Sequence, residues 1–227
     1  MESMIVHLSK GWMFRKEGNI PVEIDLPHDA MLTESRSRTC RNGVNTGYFP
    51  GWKYQYEKIL LLDERMIDKS IVLHFEGVYQ NCRIYLNDYL VGTHRYGYTA
   101  FDMDISEFAL AGENTLRVVV DNSLEPNCRW YSGSGIYRPV TMYIRDKIHI
   151  SEVHLETVDI HPAKVSVDVI TTAPCSAVVE IYDGEKLVAS GPPGVLEIPN
   201  AKLWSAESPF LYRILAKTDT DEQEHLF

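Results

Sequence analysis

Two β-sandwiches in tandem, in a chain with no helical layer, are the fold that this sequence predicts, and three observations predict it. Apolar residues recur with a period of two in several short runs, which is the pattern of strands with one buried face. Gly, Pro, Asn and Asp stand between those runs, so the chain turns back every few residues instead of crossing over through helices. The length, 227 residues, exceeds the usual single domain.

The runs can be justified in order. Ile71, Leu73 and Phe75 alternate with Val72, His74 and Glu76. The segment 83–91 reads as a hairpin, because Asn87-Asp88 tolerates the left-handed turn conformation. Residues 105–110 form the one helical turn the pattern supports; Gly112 ends it, and Asp104 stands where a cap would satisfy free N–H groups. Leu116, Val118 and Val120 alternate again, as do Val140, Met142 and Ile144. Asp146-Lys147 then separates a second block, giving expected domains of 1–146 and 147–227. Val165, Val167 and Val169 alternate in that block, Asp183-Gly184 predicts a hairpin, and Pro192-Pro193-Gly194 marks a break. About 80 residues with strands at this spacing suit an immunoglobulin-like sandwich, which normally takes about 100, so a domain cut at its last strand is expected.

Composition excludes several classes. The net charge is −10, divided as −3 up to Asp146 and −7 beyond it, and no Lys/Arg stripe is present, which argues against nucleic acid. No apolar run approaches the roughly 20 residues of a membrane span. The first dozen residues carry no basic region or sustained apolar core, so no signal peptide and a cytoplasmic location are expected. Cys40, Cys82, Cys128 and Cys175 are too scattered for a zinc or thioredoxin motif and read as reduced thiols. His149, Glu152 and His154 make a poor ligand set. No metal and no cofactor are implied.

One stretch stands apart. Arg129-Trp130-Tyr131-Ser132-Gly133-Ser134-Gly135-Ile136-Tyr137-Arg138-Pro139-Val140 is a Gly/Ser-broken aromatic loop that feeds a strand. Its glycines admit positive φ, and its aromatic rings offer flat amphipathic surface of the kind on which sugars stack. The run resembles the loop that closes the first domain of glycoside hydrolase family 2, the β-galactosidase, β-glucuronidase and β-mannosidase family. Leu26-Pro27-His28-Asp29, residues 75–81 (Phe-Glu-Gly-Val-Tyr-Gln-Asn), residues 96–101 (Tyr-Gly-Tyr-Thr-Ala-Phe) and residues 203–212 (Leu-Trp-Ser-Ala-Glu-Ser-Pro-Phe-Leu-Tyr) match the same family in order.

The resemblance implies an N-terminal jelly-roll (galactose-binding-like) β-sandwich followed by a partial immunoglobulin-like β-sandwich. The parent would be a retaining glycosidase, a chemistry that needs two carboxyl groups about 5 to 5.5 Å apart. In the family both come from a third domain, a (β/α)8 barrel, where the acid/base Glu follows an Asn. No Asn precedes a Glu in this sequence, and the strand-helix alternation of a barrel is missing. No catalytic residue is therefore assigned. The expected partners are a β-glycoside, met through the parent enzyme, and the C-terminal barrel of the same polypeptide; a homo-oligomer is compatible with this reading. An independent carbohydrate-binding module and a purely structural subunit-contact fragment are the alternatives.

The substrate-binding candidates are Asn127, Arg129, Trp130 and Tyr131, which the resemblance places at the active-site mouth. Each also has a plainer reading. Trp130 and Tyr131 could belong to the sandwich edge, Arg129 could pair with Glu125 or Asp121, and Pro126-Asn127 is good turn chemistry. The acidic residue with which some galactosidases of the family touch sugar is not found between Glu125 and Arg138. Asp102 with Asp104, and His28 with Asp29, imitate catalytic pairs, but a cap is the stronger reading of the first and no nucleophile elbow accompanies the second. The loop 32–52 holds Arg36, Arg38 and Arg41, the aromatics Tyr48, Phe49, Trp52, Tyr54 and Tyr56 follow them in its last part and just beyond it, and a loop of that length is expected to be functional or disordered.

Overall fold

The fold is described for residues 3–227 of a computed structural model. The reading of the amino terminus as leaderless falls partly on Met1 and Glu2, which lie outside the described residues. The chain divides into two compact units, one of Met4–Ile144 and one in which Ser3 joins Arg145–Phe227.

In the first unit the strands are β1 (Met4–His7), β2 (Trp12–Lys16), β3 (Val22–Ile24), β4 (Lys53–Leu62), β5 (Ser70–Phe75), β6 (Cys82–Leu86), β7 (Tyr89–His94), β8 (Phe101–Asp104), β9 (Gly112–Asp121) and β10 (Val140–Arg145). They form two antiparallel sheets, ordered β1-β10-β5-β8 and β3-β2-β4-β9-β6-β7. The period-two pattern explains why these sheets face each other. Ile71, Leu73 and Phe75 of one and Ile84, Leu116, Val118 and Val120 of the other are all fully buried in one apolar core with Trp12 and Tyr56. Burial of such side chains contributes about 1.5–3 kcal/mol each.

The 87–88 turn is as expected, with φ of 50° at Asn87 and 68° at Asp88 between paired β6 and β7. The helical turn at 105–110 is a 3-10 turn, Ser106–Phe108, and the Asp104 carboxylate accepts from the Ser106 N–H at 2.9 Å. Asp102 instead faces His74 at 2.6 Å, so the two aspartates serve separate purposes. That turn is not the only one, contrary to the sequence reading. A short helix α1 (Glu64–Ile67) starts at Asp63, whose carboxylate accepts from the N–H groups of Arg65 and Met66. Four residues are too few for a hydrophobic period to show.

The second unit holds β11 (Ile150–Ile160), β12 (Ala163–Thr171), β13 (Val178–Asp183), β14 (Lys186–Gly191), β15 (Gly194–Glu197), β16 (Arg213–Lys217) and β17 (Glu222–Leu226). Sheets β11-β12-β15 and β14-β13-β16-β17 enclose a core of Val165, Val167, Val179, Ile181 and Ile214. Sheets of three and four antiparallel strands packed over one core are the immunoglobulin-like arrangement. The Asp183-Gly184 hairpin joins β13 to β14. Among the described residues no helix is long and apolar enough to cross a membrane.

Candidate functional site at the 122–139 loop

Between β9 and β10 the chain leaves both sheets, and residues 122–139 are held by side chains and scattered backbone bonds instead of a continuous strand ladder. Asn122, fully buried, is one anchor. Its side-chain oxygen accepts from Gln80 Nε2 at 3.2 Å and Asn127 Nδ2 at 2.5 Å, and its Nδ2 donates to the Gly133 carbonyl at 3.2 Å. Asp29 is the other anchor. One carboxylate oxygen accepts from the N–H groups of Met31 and Ser134, both at 3.0 Å, and the other accepts from the Tyr131 hydroxyl at 2.6 Å. Charge-assisted bonds of this kind are about twice as strong as neutral ones. Gly135 exchanges two backbone bonds with Tyr79, at 2.8 and 3.0 Å. Its φ is 96°, and a Cβ there would overlap the Tyr56 hydroxyl, so glycine is required on both counts.

Four of the motifs singled out in the sequence thus meet at one place. Residues 26–29 contribute Asp29, residues 75–81 contribute Tyr79 and Gln80, and residues 96–101 contribute Tyr98. The Trp130 indole N–H donates to the Tyr98 hydroxyl at 2.7 Å, and Tyr98 stands edge-on to both Tyr79 and Tyr96. The fifth motif, 203–212, lies in the second unit.

The four predicted residues fare differently. Asn127 is half-buried and its amide is occupied within the chain: Oδ1 accepts from the Tyr79 hydroxyl at 3.0 Å and from Gln80, and Nδ2 donates to Asn122. It holds the loop's shape. Arg129 is exposed and makes no ion pair among the described residues. The acids considered for it are engaged elsewhere, Asp121 with Ser123 and Lys53, and Glu125 with Cys40 and Asn42. Trp130 is 57% exposed although its N–H is tethered, which leaves the indole face open. Tyr131 is 41% exposed, with its hydroxyl fixed by Asp29 and its ring edge-on to Phe49. Burial, and after it the Asp29 carboxylate, raises the Tyr131 phenol above its ordinary range, so it remains a proton donor.

The loop 32–52 has defined local structure: a 3-10 turn at Ala30–Thr33 leads into it, a second lies at Gly43–Thr46, and the Asn42 side chain accepts from the Asn127 N–H at 2.7 Å. Chemically the arrangement presents an exposed indole face and an exposed guanidinium, while the Asp29 carboxylate is committed to three donors. Sequence reasoning missed Asp29, Tyr98 and Asn122 as supports; it weighed Asp29 only beside His28, as a dyad that it set aside for want of a nucleophile elbow. Among the described residues no three His, Cys, Asp or Glu side chains gather into a metal-holding group.

Comparison with known proteins gives the family. The family model for the glycosyl hydrolases family 2 sugar binding domain matches residues 44–146, and a second model of glycosyl hydrolases family 2 matches residues 146–226. The chain belongs to glycoside hydrolase family 2. A protein of Formosa agariphila that carries a provisional β-glucuronidase name is 32% identical over 86% of this chain and 20% of its own. The β-galactosidase BoGH2A of Bacteroides ovatus is 27% identical over 88% of this chain and 26% of its own. In structure, a family 2 member from Bacteroides cellulosilyticus superposes with a TM-score of 0.85 at 25% identity, over 98% of this chain and 35% of that one. The chain spans about a fifth to a quarter of the length of the curated relatives it matches.

Proposed function

We propose that this chain is the non-catalytic N-terminal part of a family 2 retaining β-glycosidase, with a jelly-roll domain at 1–146 and an immunoglobulin-like domain at 147–227. It buttresses a (β/α)8 barrel carried by the same polypeptide and supplies the loop 127–131 to the mouth of that barrel's active site. The barrel's carboxylates perform the double displacement; this chain contributes position and a sugar-facing surface. The observation that carries the reading is the contrast within one loop. Asn122, Asn127 and Asp29 fix its backbone, while Arg129 and the Trp130 face are exposed, and Arg129 has no ion-pair partner among the described residues. A scaffold that orders a loop so completely supports a role for what the loop displays.

The exposed indole also fits a second reading, an independent carbohydrate-binding module. A titration of the 227-residue chain with galactose, glucuronic acid and mannose, beside a hydrolysis assay on aryl β-glycosides, separates the two. Neither binding at millimolar sugar nor turnover is expected from the chain alone. Millimolar or tighter binding favours the module, and turnover abolished by changing one of the chain's own carboxylates overturns the proposal.

A further inference from the structure

Asp29 ties the aromatic loop through its carboxylate, and the residue before it reaches the same loop by another route. The His28 N–H donates to the Ile136 carbonyl at 2.8 Å and the Ala30 N–H to the Ser134 carbonyl at 2.7 Å, so residues 28–30 lie along 134–136. The His28 ring packs on Phe14 at 4.5 Å, and its Nδ1 lies 2.9 Å from the Tyr56 hydroxyl. Tyr56 is fully buried, and its oxygen fills the space that a Cβ on Gly135 would need. That oxygen also takes a backbone hydrogen bond from Ile136. A relay results, running from the Ile136 N–H through Tyr56 to His28.

The direction of the relay sets the protonation state of the ring. Burial raises the Tyr56 phenol well above its ordinary range, so it keeps its proton. With its oxygen accepting from Ile136, the phenol donates that proton to His28 Nδ1, which is therefore an unprotonated acceptor. Burial, opposed in part by the Asp29 carboxylate, lowers the His28 pKa and so favours the same neutral ring. A further proton on Nδ1 would set donor against donor at a hydroxyl that has no water to turn to. Room for the ring lies alongside, where His28 lines a cavity of about 420 Å³ with Arg15, Lys16, Val22 and Glu34. The Glu34 carboxylate there already takes Lys16 at 2.6 Å and the Tyr54 hydroxyl at 3.3 Å. The charged and titratable groups around the ring are thus Arg15 and Lys16 of β2, Tyr54 and Tyr56 of β4, and Asp29 and Glu34 of its own segment.

We propose that His28 is an acid-sensitive latch on the 122–139 loop. Neutral, it accepts the Tyr56 O–H and keeps that hydroxyl on Ile136; protonated by solvent at Nδ1, it swings into the cavity toward Glu34, and the Gly135–Ile136 base of the loop comes free. The fixed display of Arg129 and Trp130 therefore belongs to neutral pH. The latch is built from this chain alone and works whatever the loop meets in a longer polypeptide.

Native-state amide exchange tests this, followed by NMR on the 227-residue chain from about pH 7.5 to about pH 5, with and without urea below the unfolding transition. The open state takes up its proton at the ordinary imidazole pKa of about 6.5, so opening gains by up to about tenfold for each pH unit below that. The Ile136 amide is expected to lose protection by that factor and without response to urea, as in a local opening. The Val118 amide, in the fully buried core, is expected to stay at least about a hundredfold better protected and to respond to urea. His28→Gln supplies an amide that accepts the Tyr56 O–H but does not titrate, and should abolish the slope at Ile136. Tyr56→Phe should leave Ile136 as poorly protected at about pH 7.5 as the unaltered chain is at about pH 5. A flat Ile136 profile in the unaltered chain overturns the inference. So does a urea response at Ile136 equal to that of Val118, because acid then acts only through unfolding of the whole unit. A slope that survives His28→Gln assigns the titration to Asp29 or Glu34 and overturns it too, as does full protection of Ile136 in Tyr56→Phe. If neither variant folds, the pH profile and urea response of the unaltered chain still decide.

Discussion

Asp29 joins three distant pieces of chain, and its partners explain its weight. Tyr131 and Ser134 lie 102 and 105 residues away, while Met31 is its near neighbour. Replacing it with Ala leaves two N–H groups and a hydroxyl unsatisfied, a loss of about 1–3 kcal/mol expected by urea denaturation. A change within error would show that solvent replaces the carboxylate without cost. His28, beside it, packs at 4.5 Å on Phe14 and contacts the Tyr56 hydroxyl at 2.9 Å. Burial lowers its pKa, opposed in part by Asp29. A depressed folded pKa means that the unfolded chain takes up the proton first. The contribution is therefore present above about pH 6.5 and is lost as pH falls through the window below it. The denaturation midpoint should fall between pH 7 and 5, and His28→Gln should lessen that slope. An identical slope in the variant would assign it to other groups. The roles of both residues were hidden in the sequence, because a hydrogen bond across a hundred residues leaves no local spacing to read.

Strands with one buried face were legible as elements, and so were the turns whose residues must adopt positive φ. The 71–75, 116–120, 140–144 and 165–169 runs and the 87–88 and 183–184 hairpins follow from period and turn chemistry alone. Helix α1 escaped, and so did β17, whose Glu-Gln-Glu-His-Leu sequence has no apolar alternation and forms an edge strand because β16 offers it a ladder. The aromatic loop was legible in composition but not in support. Its rigidity depends on Gly135, where Ala would meet both a positive φ and the Tyr56 hydroxyl. Gly135→Ala should destabilise the first unit by about 3 kcal/mol, read as a lower denaturant midpoint. A near-neutral result would mean that the loop relaxes away from Tyr56 freely.

At the scale of the molecule, each of the two sandwiches has its own core, and no disulfide joins any of the described residues. All four cysteines are free; Cys82 is buried, and desolvation pushes its thiol up to about 12, which makes it unreactive. Reductant should leave the thermal midpoint unchanged, whereas a fall of many degrees in dithiothreitol would reveal a disulfide contributing about 2–4 kcal/mol. The family membership places this pair of sandwiches beside a catalytic domain in its relatives, and the proposed role depends on what the 127–131 loop meets there. Arg129→Ala and Trp130→Ala in the full-length enzyme address that directly, with kcat/KM on an aryl β-glycoside and the thermal midpoint measured on the same preparations. The proposal expects kcat/KM to fall roughly tenfold to a hundredfold, the equivalent of one charge-assisted hydrogen bond, with the midpoint nearly unaltered. A lowered midpoint with kcat/KM intact would contradict it and make these side chains part of the fold alone.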